Sequence, residues 1–231
     1  MTEKEKVLHE ATSRIIENLS AYGFLFQLKG KSIVKYSVDQ DMRLEIFFQV
    51  NRRSSVKNLE VFPHVDISSK TLKEWQENEG IPNPTGVIFH SYLGYISPRK
   101  PKYEWVISGF SQDNAVKEIT EAITKYACQL FEELSDTKNA VNKIAENVLN
   151  INDNIDSFVF MPPMEFVLCF GTKEKAQQLF DTLKKQKQWK GIIYQGYKKL
   201  NEIQPKTIDE IISVGYNWVG LSYLKGLKNE E

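Results

Sequence analysis

The chain has 231 residues, room for one large domain or a domain with an extension, and its 41% hydrophobic and 26% charged content is that of a globular protein. Thirty basic residues balance thirty acidic ones, so composition excludes a global field that draws in nucleic acid or an anionic membrane. Any electrostatic partner must be met by a local patch.

No run of about 18 apolar residues occurs, and Met1 to Lys6 opens an amphipathic pattern in place of a signal core. Cys128 and Cys169 are far apart among apolar neighbours, which predicts two buried thiols in a reducing compartment. The expectation is a cytoplasmic chain with no membrane span.

Thr2 and Glu5 have the capping-box spacing, and Leu8, Ala11, Thr12, Ile15, Leu19 and Tyr22 recur at three and four. This predicts a helix over about 3–22, stopped by Gly23 at positive φ. Phe24 to Leu28 reads as a short strand, Lys29-Gly30 as a hairpin turn, and Ile33 to Val38 as a second strand. In the third strand Met42, Leu44, Ile46, Phe48 and Val50 alternate with Arg43, Glu45, Phe47, Gln49 and Asn51. One buried and one wetter face is the pattern of an antiparallel sheet.

Arg52-Arg53-Ser54-Ser55 reads as a loop and Leu59 to Ile67 as a fourth strand, in which Pro63 points to an edge or a bulge. A short helix over 69–79 is closed by Gly80, Pro82 and Pro84. Gly86 to Ile96 and Tyr103 to Phe110 read as strands flanking the basic loop Arg99, Lys100, Lys102. Asp113 is the predicted N-cap of a long helix with a stripe of Val116, Ile119, Ile123, Tyr126, Ala127, Leu130, Phe131 and Leu134.

Beyond Asp136 the strand signals mostly stop. Val141 to Leu149 predicts a helix, and Asn150 to Asp156 is a polar break. Met164 to Phe170 is too short for periodicity to choose between helix and strand. Thr172 caps a helix carrying Ala176, Leu179, Phe180 and Leu183, and a last helix spans 208–227. The predicted fold is therefore α+β: an antiparallel sheet of five or six strands packed by an N-terminal and a central helix, residues 1–135, then a mostly helical extension, residues 136–231.

Ala21-Tyr22-Gly23-Phe24, Lys29-Gly30-Lys31, the strand Leu44 to Asn51, and Trp105 ahead of the Asp113 to Leu134 helix together resemble a bacterial domain family of unknown function. The resemblance covers the layout of about residues 5–135 and implies a bacterial source and this fold. It carries no activity and no site residue.

Chemistry-bearing patterns are sparse. His9, His64 and His90 have no Cys, Asp or Glu at a metal-ligand spacing, and no P-loop, dinucleotide fingerprint, HExxH, GxSxG, CxxC or EF-hand pattern occurs. No catalytic residue, metal or cofactor is assigned. His64 and Asp66 share a strand face, which is the geometry of an oriented base but more often a hydrogen-bonded strand histidine. On strand alternation His90 shares its face with Ile88 and Tyr92, while Ser91 points the other way and cannot be activated by it.

The tail is electrically polarised. Residues 173–199 carry eight lysines against Glu174 and Asp181, with Trp189, Tyr194 and Tyr197 interleaved, while residues 132–160 carry six acids against two lysines. Lys184, Lys185, Lys187, Trp189, Lys190, Tyr194, Tyr197, Lys198 and Lys199 are thus candidate binding residues, together with Arg52 and Arg53 on the sheet loop. The opposing reading is a solvated lysine face whose aromatics point inward. With 12% aromatic residues and no catalytic constellation, the first functional expectation is a non-enzymatic protein-interaction module of a regulatory or immunity-like kind, holding a protein partner. The alternatives are a nucleic-acid-binding accessory protein using 184–199 and a hydrolase whose site is assembled from distant residues around His64 and Asp66.

Overall fold

The computed structural model describes residues 1–27, 31–97, 104–146, 163–214 and 218–229. The predicted turn at Lys29-Gly30, the basic loop 99–102 and the break at 150–156 lie outside these. The fold is α+β, and the chain divides into two compact units. Among the described residues the first takes in 1–69 and 87–135, and the second 70–86, 136–146 and 163–229. Residues 70–86, which the sequence reading keeps with the sheet, fold with the helical unit instead.

The first unit opens on α1 (Glu3–Asn18), where the Thr2 hydroxyl accepts from the Glu5 N–H and the Glu5 carboxylate accepts from the Thr2 N–H. A single 3-10 turn over Ser20–Tyr22 ends at Gly23, whose φ of 76° no β-carbon opposes. The strands are β1 (Leu25–Gln27), β2 (Ser32–Tyr36), β3 (Met42–Val50), β4 (Glu60–Ser69), β5 (Val87–Tyr92) and β6 (Trp105–Val106). They pair antiparallel in the order β1-β2-β3-β4-β5, with β6 on β4. Between β4 and β5 the chain forms α2 (Lys70–Asn78) of the second unit. After Tyr92, α3 (Leu93–Ile96) replaces the second half of the predicted strand.

Pro63 is not on an edge strand. It faces Phe48 of β3, while on the other side β5 reaches only to His64 and β6 begins at Val61. The missing N–H falls in the gap between two short neighbours, so no ladder bond is lost.

The inner face of the sheet buries Ile33, Leu44, Ile46, Phe48, Val65, Ile67 and Phe89. A long helix covers it in three segments: α4 (Gln112–Ala122), a π-helical turn over Ile123–Ala127, and α5 (Cys128–Ser135). Thr120 and Thr124 donate their hydroxyls to carbonyls one turn back at the entry to that turn, a contact that loosens the regular ladder. Asp113 is not the cap: the helix begins one residue earlier, and Asp113 lies in its first turn, 2.7 Å from the Arg14 guanidinium of α1. Lys35 of β2 reaches Glu132 at 3.7 Å and lies over the Phe131 ring.

In the second unit α2 is joined by α6 (Thr137–Ala145), α7 (Met164–Phe170), α8 (Lys173–Lys185), α9 (Lys187–Ile203), α10 (Ile208–Val214) and α11 (Trp218–Leu224). Residues 164–170 are thus helix. The unit is pinned by Gln76, 4% exposed, whose amide donates to Glu165 at 2.5 Å and accepts from the Gly86 N–H at 2.8 Å. Lys225 ion-pairs with Glu79 at 2.6 Å over the face of Trp75.

Candidate functional site

Helices α8 and α9 are separated by Gln186 alone, so the chain turns back on itself where its lysines are densest. Lys184 and Lys185 sit in the last turn of α8, where the helix dipole favours cations. Lys187 and Lys190 sit in the first turn of α9, where it does not, and Gln186 provides no side-chain cap. The elbow is therefore strongly electropositive.

A groove of about 690 Å³ opens beside it, lined by Asp181, Lys184, Lys185, Lys190, Ile193, Tyr194 and Asn229. Its far wall is the C-terminal tail, held by Gln177. That amide accepts from the Lys228 N–H at 2.7 Å and donates both to the Lys228 carbonyl and to Asp181 at 3.0 Å. A second depression of about 680 Å³ shares Asp181 and Lys185 and continues past Lys173, Thr182, Gly226 and Lys228. Its Glu174 is held below the ordinary carboxyl value, chiefly by the Thr172 hydroxyl, and stays ionised. Among the described residues Lys185 and Lys190 make no ion pair, so their charge is directed to solvent.

The structure sorts the sequence candidates by helical phase. Lys187, Lys190, Tyr194 and Lys198 recur at three and four and share the outward flank of α9. Lys199 lies on another flank with the exposed Ile192 and Ile203. Trp189 and Tyr197 belong to the core, which corrects their assignment as binding residues. Trp189 meets Trp218 edge-on at 5.7 Å, and Tyr197 packs on Phe180 and Tyr223. Trp189, Ile193, Tyr197 and Leu200 recur at four, four and three in one buried stripe, set by the same 3.6 period that turns the lysines out. Sequence reading missed Asp181, Ile193 and Asn229. Asn229 reaches the groove only because Gln177 clamps the tail, a contact 51 residues apart with no local signal.

Arg52 and Arg53 belong to the first unit, on the exposed loop between β3 and β4. On the outer face of that sheet, Asp66 stands opposite His90 and His64 opposite both Phe47 and Tyr92. His90 Nδ1 donates to the Asp66 carboxylate, and His64 Nε2 donates to Gln49 Oε1 at 2.7 Å. His64 is thus the hydrogen-bonded strand histidine of the commoner reading, and Asp66, which the oriented-base reading gives to it, is held by His90 instead. Ile88 does not share the His90 face, because a bulge opposite Ile67 and Ser68 shifts the alternation and buries it. Burial, then the neighbouring His90, holds the His64 ring below its ordinary value, with Asp66 opposing.

Cys128 is a buried thiol, raised by that burial to about 11, while Cys169 is half-buried and not fully buried as the sequence predicts. Among the described residues no group of three or more His, Cys, Asp or Glu is arranged to hold a metal ion, and no helix is long and apolar enough to cross a membrane. Comparison of the chain with protein-family models, curated proteins and solved structures finds no match in any of the three. No family is assigned on the Gly23-Phe24 resemblance.

Proposed function

We propose that this chain is a non-enzymatic binding module whose second unit holds an acidic segment of a partner protein. The observation that carries the reading is the walled groove in which Lys185 and Lys190 stand unpaired beside Tyr194 and Ile193. A groove with three lysines, one carboxylate and an apolar floor suits a peptide that alternates acids with an aliphatic or aromatic anchor. Asp181 opposes a dense phosphate ladder but accepts a peptide N–H. The inward turn of Trp189 and Tyr197 removes the stacking platform that the nucleic-acid alternative requires of this segment.

Each rim ion pair contributes about 0.2–1 kcal/mol, and anchoring by Tyr194 adds to it, which keeps the affinity weak, on the order of a hundred micromolar. The Cys128 thiol, buried and outside any disulfide, fits a reducing compartment, and the reading places the module in the bacterial cytoplasm in a regulatory or immunity-like role. Selection of binders from a displayed random-peptide library against the whole chain tests the reading. Enrichment of Asp and Glu clusters beside an apolar residue is the expected outcome; binders with no acidic bias would count against it.

A further inference from the structure

We infer that the first unit carries an independent second site, on the outer face of β3, β4 and β5, for single-stranded nucleic acid. The face is an array of rings on adjacent strands, continued by Tyr95 of α3. Phe47 and His64 lie 6.3 Å apart between centroids, His64 and Tyr92 4.3 Å, His64 and His90 5.6 Å, Phe62 and Tyr92 6.2 Å, and Tyr92 and Tyr95 5.8 Å. Tyr92 is 41% exposed and the His90 side chain 60%. Ring spacing of this kind follows from strands about 4.8 Å apart, and unstacked bases can be laid along it, because every base has a π-face.

Charge on the face points to the same ligand. Its carboxylates are already engaged: Asp66 by His90, and Glu45 by Arg43 at 2.8 Å. The hairpin loop that begins after Val50, next to the Gln49 and Phe62 pair, exposes Arg52, Arg53 and Lys57, none of which makes an ion pair among the described residues. Against these three cations stand Glu60, which accepts from Asn51 and Asn58, and Glu104. Rings that grip bases with cations at one end that grip phosphates are the two halves of single-strand recognition. A duplex, whose bases are stacked on one another, offers such a face only its backbone. An acidic peptide would satisfy the loop but leave the rings unused.

Fluorescence anisotropy of short labelled oligo-dT and oligo-U with the whole chain tests this. Expected are binding that weakens as salt rises, a loss of roughly tenfold or more for Tyr92→Ala, near-wild-type binding for Tyr92→Phe, and a shallower salt slope for Arg52→Glu with Arg53→Glu. Circular dichroism of each variant separates lost binding from lost folding, and the exposed loop pair keeps the test open if Tyr92→Ala unfolds. No salt-sensitive binding by the wild type overturns the inference. So does binding that survives every sheet variant and disappears with Lys185→Glu and Lys190→Glu, which would place the strand on the groove of the second unit.

Discussion

The Tyr197 hydroxyl donates to the Leu227 carbonyl at 2.9 Å, and so one of the aromatics in the lysine-rich segment fastens the C-terminal tail to α9 instead of facing a ligand. Burial, with Tyr223 adding to it, drives that phenol well above its usual value, so it remains a donor at every working pH. Removing the hydroxyl alone, in Tyr197→Phe, leaves a buried carbonyl without its partner and is expected to cost about 1–2 kcal/mol. Urea unfolding should show the loss as a lower midpoint with an unchanged slope. Tyr197→Ala should cost about 3–5 kcal/mol.

Two glycines of the same helix should respond oppositely to alanine. At Gly191 an added β-carbon meets nothing within 4 Å, so Gly191→Ala should stabilise by about 0.5–1 kcal/mol through helix propensity. At Gly196 it would lie 2.8 Å from Val219 Cγ1, on a short stiff side chain of α11. There the overpacking cost of about 1–3 kcal/mol outweighs the gain, and Gly196→Ala should melt earlier than the wild type.

Gln76 tests how the second unit is pinned. Gln76→Met keeps the volume and removes both the acceptor of the Gly86 N–H and the donor to Glu165. A loss of about 2–3 kcal/mol is expected, with faster amide exchange at Gly86. Unchanged exchange there would show that the bond is not what holds the 79–86 turn.

His64 gives a pH dependence with a fixed sign. Its ring is held below the ordinary value of 6.5, so as pH falls through about 6.5 the unfolded chain takes up the proton first. The contribution is whole above that value, is lost as pH falls through the lower folded value, and then levels. The ring faces His90, Asp66, Tyr92 and Gln49. His64→Gln should flatten this part of a thermal-midpoint profile taken between about pH 8 and about pH 5. An identical slope in wild type and variant would contradict the assignment.

Much of the scaffold was legible because its causes are local. The capping box at Thr2 and Glu5, the left-handed Gly23 and the alternation of Met42 to Val50 act within a few residues, and each appears in the fold. The extent of β5 was not legible, since the bulge at Ile88 and the turn into α3 depend on pairing with β4. The same holds for Pro63, whose tolerance needs two short neighbours to end beside it. At the groove, the lysines could be read but not which aromatics joined them. Helix α9 was read only as the opposing case of a lysine face with inward aromatics, without bounds, and without its phase Trp189, Tyr194 and Tyr197 look alike. The His90 and Asp66 pair is 24 residues apart and needed the strand register.

The central claim is that the lysine groove of the second unit binds an acidic protein segment, and charge reversal at its unpaired cations addresses it most directly. Titration of a labelled acidic peptide with an aromatic anchor should saturate with a Kd on the order of a hundred micromolar with the wild type and weaken severalfold as ionic strength rises past about 0.1 M. Lys185→Glu with Lys190→Glu should weaken it by about tenfold or more while moving folding stability by no more than about 0.5 kcal/mol per site. Wild-type and reversed chains that bind the peptide equally, or a wild type that shows no saturable binding at low salt, would contradict it.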